Sequence, residues 1–596
     1  MELLDLNGVI EKGVFEIPSY QRGYAWQEEQ LKDFWNDLEH VSKLGDKFHY
    51  MHSLTLRETE NELESSVFEI IDGQQRLATS LILLGLLAKT TQNKDPKYSL
   101  INLEPILSYK YYDLSEAFRA ITEEEKDLEA FKTSFYAKNL IDAYAFFKEK
   151  ISDTPIGTLE KMFDALIKKM LFSVVELNDS RIDPFSSFET INNRGKDLST
   201  LELLKNRLHF VAHKICDEGD LENLQNEIND TYTRIYYDLR SFEDTHLEDF
   251  LKHFVAYYYG EKSKFKERLL NTAFDAHKKY DDLYDEYEKI NDLLLHLSYS
   301  SKVWYFLHTL DDEELRIEIT PKMHGLLDKM RCLNALSDNA FLPLLLSLLT
   351  IQLAVRSGSE RHYTTKELED LLEYLERFGF LVYGVAGKNT AKHEWIELAF
   401  KAIQAYRFWD DKITIEDLPT LEKNFFKGEH SGLELLEESI HSKKNAEKWY
   451  GWNKALNYLL YEYELHHNPE TTLNFDSSLE SIEHILPQNP DQGYSAEEKN
   501  WAKNPNIVHA LGNLLLIPKN ANSSLSNKPF NEKRKEYLKD SYSEKEVAKN
   551  ASFGIEQIKE RSEKLLDFLI AHYRIAELVD ESAIKVFKNA SLKDIK

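Results

Sequence analysis

The chain has 596 residues, too many for one ordinary hydrophobic core, so two to four domains are expected. Hydrophobic residues make up 42% of it, which argues against general disorder, and its two distant cysteines, Cys216 and Cys332, fit neither a zinc cluster nor a disulfide scaffold but a reducing compartment. A formal charge of −29 argues against broad electrostatic attraction of the whole chain to DNA.

The start, Met1-Glu-Leu-Leu-Asp-Leu6, has no basic segment of the secretory kind. The apolar runs Leu77 to Ala88 and Phe341 to Val355 are too short to cross a bilayer and read as buried helices. The expectation is a cytoplasmic protein without a membrane partner.

In chain order, Val14 to Ile17 reads as a strand and Gln27 to Val41 as an amphipathic helix. His49 to Leu56 and Val67 to Ile71 read as strands, Asp72-Gly73 as a turn, and Gln74 to Ala88 as a long apolar helix. Leu100 to Lys169 is mostly helical and charged, and Leu171 to Leu177 returns to strand character. After a loop at Phe188 to Lys196, Ser199 and Glu202 have capping-box spacing, which makes Ser199 a helix N-cap. From 216 to 470 helix follows helix, with no motif that carries chemistry. Further on, Leu511 to Ile517 reads as a strand, Phe530 to Tyr537 as part of a helix, and helices return from about Glu544. The expected domains are an α/β unit over 1–215, a helical linking or sensing unit over 216–470, and a third over 471–596. The fold class is multidomain α+β.

Two places carry chemistry. At the first, Gly73 ends a strand and Gln74, Gln75 and Arg76 open a helix. Backbone N–H groups there, with Arg76 and Arg22, make a phosphate cradle, and Asp72 is a candidate to hold a metal or position a water. Asn192, Asn193 and Arg194 precede Gly195 at another loop-to-helix junction, where the amides suit a base or ribose and Arg194 a phosphate. No P-loop pattern is present.

The second is Ser481-Ile-Glu-His-Ile-Leu-Pro-Gln488, followed by Leu511-Gly-Asn-Leu514, Asn522, Asn527 and Lys533. A neutral His484 suits a general base for water. Glu483 and Asn522 offer hard oxygens to a divalent ion such as Mg²⁺. Adjacent strand residues face opposite ways, so Glu480, whose face matches that of His484, is an alternative ligand to Glu483. Asn513 is placed to orient the loop, Asn527 is a candidate for a structural bond and Lys533 for a phosphate contact. His509 lies nearby as a fold or DNA contact. Residues 471–596 carry only about −1 of the net charge, and Trp501 to Lys539 holds seven basic residues against two acids, so this segment is locally basic within an acidic protein.

Ile17-Pro-Ser-Tyr-Gln-Arg22, Asp72-Gly-Gln-Gln-Arg76 and Phe188-Glu-Thr-Ile-Asn-Asn-Arg-Gly195 together resemble the N-terminal domain of the GmrSD restriction endonucleases. His484-Ile-Leu-Pro487, Leu511-Gly-Asn-Leu514, Asn522, Phe530 and Lys533 resemble that family's C-terminal nuclease domain. The resemblance implies a ParB/sulfiredoxin-like N-terminal domain that binds and hydrolyses nucleoside triphosphates. Tyr20, Gln21, Arg22, Asp72, Gly73, Gln74, Gln75, Arg76, Asn192 and Arg194 are then the nucleotide residues. It also implies a C-terminal HNH (ββα-metal) nuclease in which His484, Asn513 and Asn522 are catalytic and a divalent metal is bound by Glu483, Asn522 or Glu480. The family usually has Gly where His52 stands, a departure at the nucleotide site.

The expected function is a nucleotide-regulated, metal-dependent DNA endonuclease restricting modified phage or foreign DNA. Family precedent includes glucosylated hydroxymethylcytosine and phosphorothioated DNA. The alternatives are a toxin-like nuclease on RNA or unmodified DNA, and a nucleotide-responsive DNA-binding protein with an inactive nuclease fold. Expected partners are DNA, a nucleotide and, as a further candidate, a second copy of the chain.

Overall fold

The computed structural model describes residues 2–595 apart from 60–65, 94, 100–105, 111, 178–197, 243, 276–277, 281, 314, 356–362, 409, 443–444, 474–478, 491–492 and 538–540. The chain is mixed α/β and mostly helical. It forms two compact units, one of Met1–Phe306 with Glu313–Leu315 and one of Leu307–Asp312 with Arg316–Lys596.

The first unit is built on a six-stranded mixed sheet in the order β1-β6-β3-β4-β2-β5. The strands are β1 Glu2–Asp5, β2 Val14–Ile17, β3 His49–Thr59, β4 Val67–Asp72, β5 Leu107–Tyr109 and β6 Met170–Glu176. Strand β2 lies parallel to β4 and β5, β3 is antiparallel to β4 and parallel to β6, and β1 closes one edge antiparallel to β6. The edge strands β1 and β5 are too short to announce themselves by alternation, and periodicity alone does not find them.

Helix Gln74–Thr90 is buried on nearly all sides, which is why its apolar run lacks a polar face. It packs against helices Phe135–Ser152 and Ile156–Lys169. Ser199 caps helix Thr200–Ile215 in the expected capping box with Glu202. Helices Glu218–Asp238, Asp244–Tyr259 and Leu283–Thr309 follow.

Strand β3 is interrupted by a shift of register between Tyr50 and Ser53. His52 sits in that bulge with φ of +64°, the left-handed region that favours Gly. This accounts physically for the Gly preference. The His52 side chain is exposed and lies against the Tyr50 ring at 5.3 Å, so it adds no imidazole to a buried pocket.

The second unit carries helices Pro321–Ser337, Leu342–Ala354, Thr365–Phe378, Lys392–Phe408 and Lys454–His467. A two-stranded antiparallel hairpin, β7 Glu480–His484 and β8 Leu514–Pro518, comes next in this unit's chain order. Helices Lys519–Leu525, Phe530–Tyr537, Tyr542–Ala548 and Ile555–His572 follow it.

The expected strand from Leu511 to Ile517 begins later than the sequence suggests. Leu511–Asn513 is a 3-10 turn and only then does β8 start. The reason is contact with helix Ile555–His572: Gly512 N donates to Ser562 Oγ at 2.8 Å, and Arg561 Nη1 donates to Gly512 O and Leu514 O at 3.0 and 2.7 Å.

Charged side chains from the preceding helices close the ends of those that follow the hairpin. Glu464 accepts from Tyr542 N and Ser543 N, both at 2.8 Å, at the start of helix Tyr542–Ala548. Arg377 donates to Tyr573 O and Arg574 O, both at 3.0 Å, just past the end of helix Ile555–His572. Orphaned N–H and C=O groups at helix termini are thereby satisfied across elements.

Candidate nuclease and nucleotide sites

In the first unit, Asp72 ends β4 and Gly73 turns the chain with φ of +100° into helix Gln74–Thr90. A Cβ on Gly73 would meet Ser53 O and Leu54 Cδ1, each at 3.0 Å, so the turn is tight as well as left-handed.

The two glutamines that follow hold the loop after β2. Gln74 Nε2 donates to Arg22 O at 2.8 Å, Gln75 Nε2 to Gly23 O at 2.9 Å, and Ala25 N donates to Gln75 Oε1 at 2.9 Å. Gln21 Nε2 donates to Ile70 O. The motifs at 17–22 and 72–76 are therefore one structure, stitched by side-chain amides to backbone.

Arg76 donates to Asp72 Oδ2 at 3.0 Å and to Met51 O at 3.2 Å. Ser53 Oγ donates to the same Asp72 oxygen at 2.9 Å. Arg76, expected at a phosphate, is thus paired within the protein, because Asp72 stands four residues before it at the turn.

Arg22 differs. It is 7% exposed, and among the described residues its guanidinium has no carboxylate or carbonyl partner. A buried unpaired cation is costly and favours an anion beside it. Tyr20 is buried on the same loop, against Leu198 and Phe210. Asn192 and Arg194 lie outside the described residues. Sequence reasoning missed Lys205, fully buried with its ammonium 5.4 Å from the Tyr232 ring centre. A lysine among the apolar positions of helix Thr200–Ile215 was the signal available.

In the second unit, β7 carries His484 at its end. Burial pushes the His484 imidazole down to about 3, with His509 and Lys533 adding to the effect, so the ring is neutral at physiological pH. Its Nε2 lies 3.0 Å from His509 Nδ1, and its Nδ1 lies 3.3 Å from Nε2 of the exposed Gln488. Tyr450 covers both imidazoles, 4.8 Å from the His484 ring and 5.6 Å from that of His509, stacking on the latter at 18°. Neither Tyr450 nor the pairing of the two histidines was legible in the sequence, since Tyr450 precedes β7 by about thirty residues.

Asn513 is fully buried. Its amide donates to Leu486 O at 3.0 Å and Val508 O at 2.7 Å, and its Oδ1 accepts from Leu486 N at 2.8 Å. The side chain thus fixes the loop on which His484, Pro487 and Gln488 sit.

Backbone bonding from Lys519 N to Leu479 O and from Ile485 N to Asn513 O turns the odd-numbered peptide groups of β7 toward β8. The even-numbered carbonyls face outward, and side chains cap them. Asn522 Nδ2 donates to Ile482 O at 3.1 Å and to Ser481 Oγ at 2.9 Å. Lys533 Nζ donates to His484 O at 2.9 Å.

Lys533 is fully buried and also meets Glu483 Oε1 at 2.5 Å, where Tyr537 OH donates at 2.9 Å. Burial lowers the Lys533 ammonium and raises the Glu483 carboxyl, and their attraction opposes both shifts. Lys533, expected at a phosphate, cannot reach one from this position. Glu483, expected at a metal, has one oxygen committed to an ammonium and a phenol. Glu480 is buried at the start of the same strand. Asn527 is half-buried after helix Lys519–Leu525.

Among the described residues no three His, Cys, Asp or Glu side chains gather as a metal site. Of the expected metal set, the bonding above leaves open the side-chain oxygen of Asn522. Asn522 spends both amide hydrogens on β7, which leaves Oδ1 to a ligand. Ions such as Mg²⁺ commonly keep several waters and take further oxygens from a substrate phosphate.

Among the described residues no helix is long and apolar enough to cross a membrane. Cys216 and Cys332 are free thiols. Residues 3–209 match the model of the GmrSD restriction endonuclease N-terminal domain, and residues 437–568 match that of the GmrSD restriction endonuclease C-terminal domain. No curated protein matches the chain.

Proposed function

We propose, from the premise that this chain belongs to the GmrSD restriction endonuclease family, that it is a metal-dependent DNA endonuclease gated by a nucleoside triphosphate. It cuts modified phage or foreign DNA in the cytoplasm. The observation that carries this reading is His484: a neutral imidazole at the end of a ββα hairpin, pinned on one nitrogen and met on the other, among the described residues, by an exposed glutamine. That is the state a general base requires.

With Gln488 donating to Nδ1, the ring proton resides on Nε2 and Nδ1 holds the lone pair. A water oxygen bonds to phosphorus as the bond to the leaving nucleoside oxygen breaks. Once the exposed Gln488 side chain turns away from it, His484 Nδ1 takes the water proton, and the leaving oxygen takes one from solvent. Asn522 would hold a divalent cation that neutralises charge on the phosphate. Asn513 keeps the loop in place, and the Glu483–Lys533 pair anchors β7 beneath it. In the N-terminal unit, Arg22 would meet a nucleotide phosphate beside Tyr20, Gln21 and the backbone of Gly73. Asp72 and Arg76 brace that turn, and Gln74 and Gln75 hold its partner loop.

The test is cleavage of unmodified, glucosylated and phosphorothioated DNA, with and without Mg²⁺ and nucleoside triphosphate, by the parent and His484→Ala. Metal-dependent cutting that nucleotide alters and that falls about 10²- to 10⁴-fold in the variant is expected. Cutting of RNA alone would move the assignment to a toxin-like nuclease. No cutting of any substrate would leave a DNA-binding protein with an inactive nuclease fold.

A further inference from the structure

The function of His484 leaves His509 and Tyr450 without a role, although they are the rings packed directly on it. His509 follows the short helix Pro505–Val508, two residues before the turn that carries Asn513. Tyr450 comes from the 3-10 turn Tyr450–Trp452 before helix Lys454–His467. Three separate segments thus converge on one imidazole.

We propose that His509, held by the Tyr450 ring, is a positioning residue of the nuclease centre that fixes the tautomer of His484 and stabilises its protonated form during the reaction. The inference rests on His484 being the base.

The hydrogen-bond chain gives the direction. Gln488 Nε2 donates to His484 Nδ1, so His484 carries its proton on Nε2 and donates it to His509 Nδ1 at 3.0 Å. His509 is then the acceptor, with its own proton on Nε2. Burial lowers the His509 imidazole, which keeps it neutral and able to accept.

The pairing has a consequence for rate. When Nδ1 of His484 takes the water proton, the ring becomes an imidazolium and its Nε2–H becomes a charged donor. A hydrogen bond from a charged donor is roughly twice as strong as a neutral one. His509 therefore stabilises the reacting state more than the resting state, which is the condition for raising kcat. The stacked Tyr450 ring keeps the His509 plane in register with that donor. The charged groups acting on the pair are Lys533 on His484, which opposes protonation, and Glu447 on His509, which favours it.

The experiment compares the full-length parent with His509→Ala, His509→Asn and His484→Ala. Cleavage is measured with Mg²⁺, with and without nucleoside triphosphate, on glucosylated, phosphorothioated and unmodified DNA. DNA affinity is measured by fluorescence anisotropy, and folding by circular dichroism and thermal melting. An Asn carbonyl oxygen can stand where Nδ1 stands and accept the same proton. We expect His509→Ala to lose about 10- to 100-fold in kcat, by analogy with the loss on removing a partner that orients a metal-binding imidazole, with DNA affinity unchanged. His509→Asn should recover most of that loss.

A His509→Ala protein that cuts at the parental rate overturns the inference. So does a loss that His509→Asn does not recover, or one matched by a fall in melting temperature, since either outcome marks a packing role. His484→Ala separates this failure from that of the underlying reading. If it cuts as fast as the parent, or if the parent cuts none of the three DNAs, the assignment of His484 as base fails as well.

Discussion

A Cβ placed on Gly512 would lie 2.0 Å from the carbonyl oxygen of Ile558. No rotamer relieves this, because the obstacle is backbone, and Ser562 N stands at 2.6 Å on the same side. Helix Ile555–His572 and the Asn513 turn therefore touch main chain to main chain. We expect Gly512→Ala to push the turn off the helix, at a cost of about 1–3 kcal/mol for overpacking. It should also displace Asn513 and with it the His484 loop. A melting temperature several degrees lower together with slow DNA cutting is the expected pair of results. Parental values of both would mean that the turn relaxes freely.

His484 gives the protein an acid-sensitive term. Its folded value of about 3 lies below the ordinary imidazole value, so the unfolded chain binds a proton more readily than the native one. The stabilising contribution of the neutral buried ring is complete above pH of about 6.5 and is lost as pH falls from there toward about 3. We expect His484→Gln to flatten the acid limb of stability in that window, by up to about 1.4 kcal/mol per pH unit. Denaturant titrations of parent and variant at a series of pH values would measure it. Parallel limbs would show that the ring is not buried neutral in solution.

The Glu483–Lys533 pair should behave as a structural unit. Lys533→Met leaves a buried carboxylate with no counter-charge beside it, held only by neutral donors such as Tyr537 OH, and breaking such pairs costs about 3–5 kcal/mol. Adding Glu483→Gln should return much of that loss, because a neutral amide needs no counter-charge. A double-mutant cycle by chemical denaturation checks it. DNA affinity and its salt dependence should be unchanged in both variants, since a lysine at 0% exposure neutralises no phosphate.

Arg22 should show the opposite pattern. We expect Arg22→Met to abolish or severely weaken triphosphate binding in a calorimetric titration. It should leave the melting temperature of the nucleotide-free protein equal or higher, because a buried cation with no partner among the described residues is replaced by an apolar chain. Asp72→Ala and Arg76→Ala should resemble each other, each breaking the same ion pair and loosening the turn. Tight nucleotide binding by Arg22→Met would remove this loop from the site.

Local pattern made the secondary structure around both sites legible. The Asp72-Gly73 turn, the Ser199 cap and the helix Phe530–Tyr537 could each be read from a few adjacent residues. Partners were not legible. The phosphate cradle is read from the backbone N–H groups at Gln74 and Gln75, and no local pattern announces that their side-chain amides hold a loop some fifty residues earlier. Lys533 suited DNA by its charge, and tertiary packing turns it inward to Glu483. Face parity separates Glu483 from His484 by their adjacency in the chain alone, but what lies on each face is decided by segments far away in sequence.

The side chains of Glu464 and Arg377, clasping helix ends from outside the hairpin, bear on how this unit comes apart. A hairpin of two strands is seldom stable alone, and here the helices that cover it are themselves held at their ends by residues up to two hundred positions earlier. The backbone amides of β8 and those of helix Lys454–His467 should therefore exchange with deuterated solvent through one shared opening rather than two. A fragment cut to the hairpin and its first helices would keep His484, Asn513 and Asn522 and have no fixed place to put them.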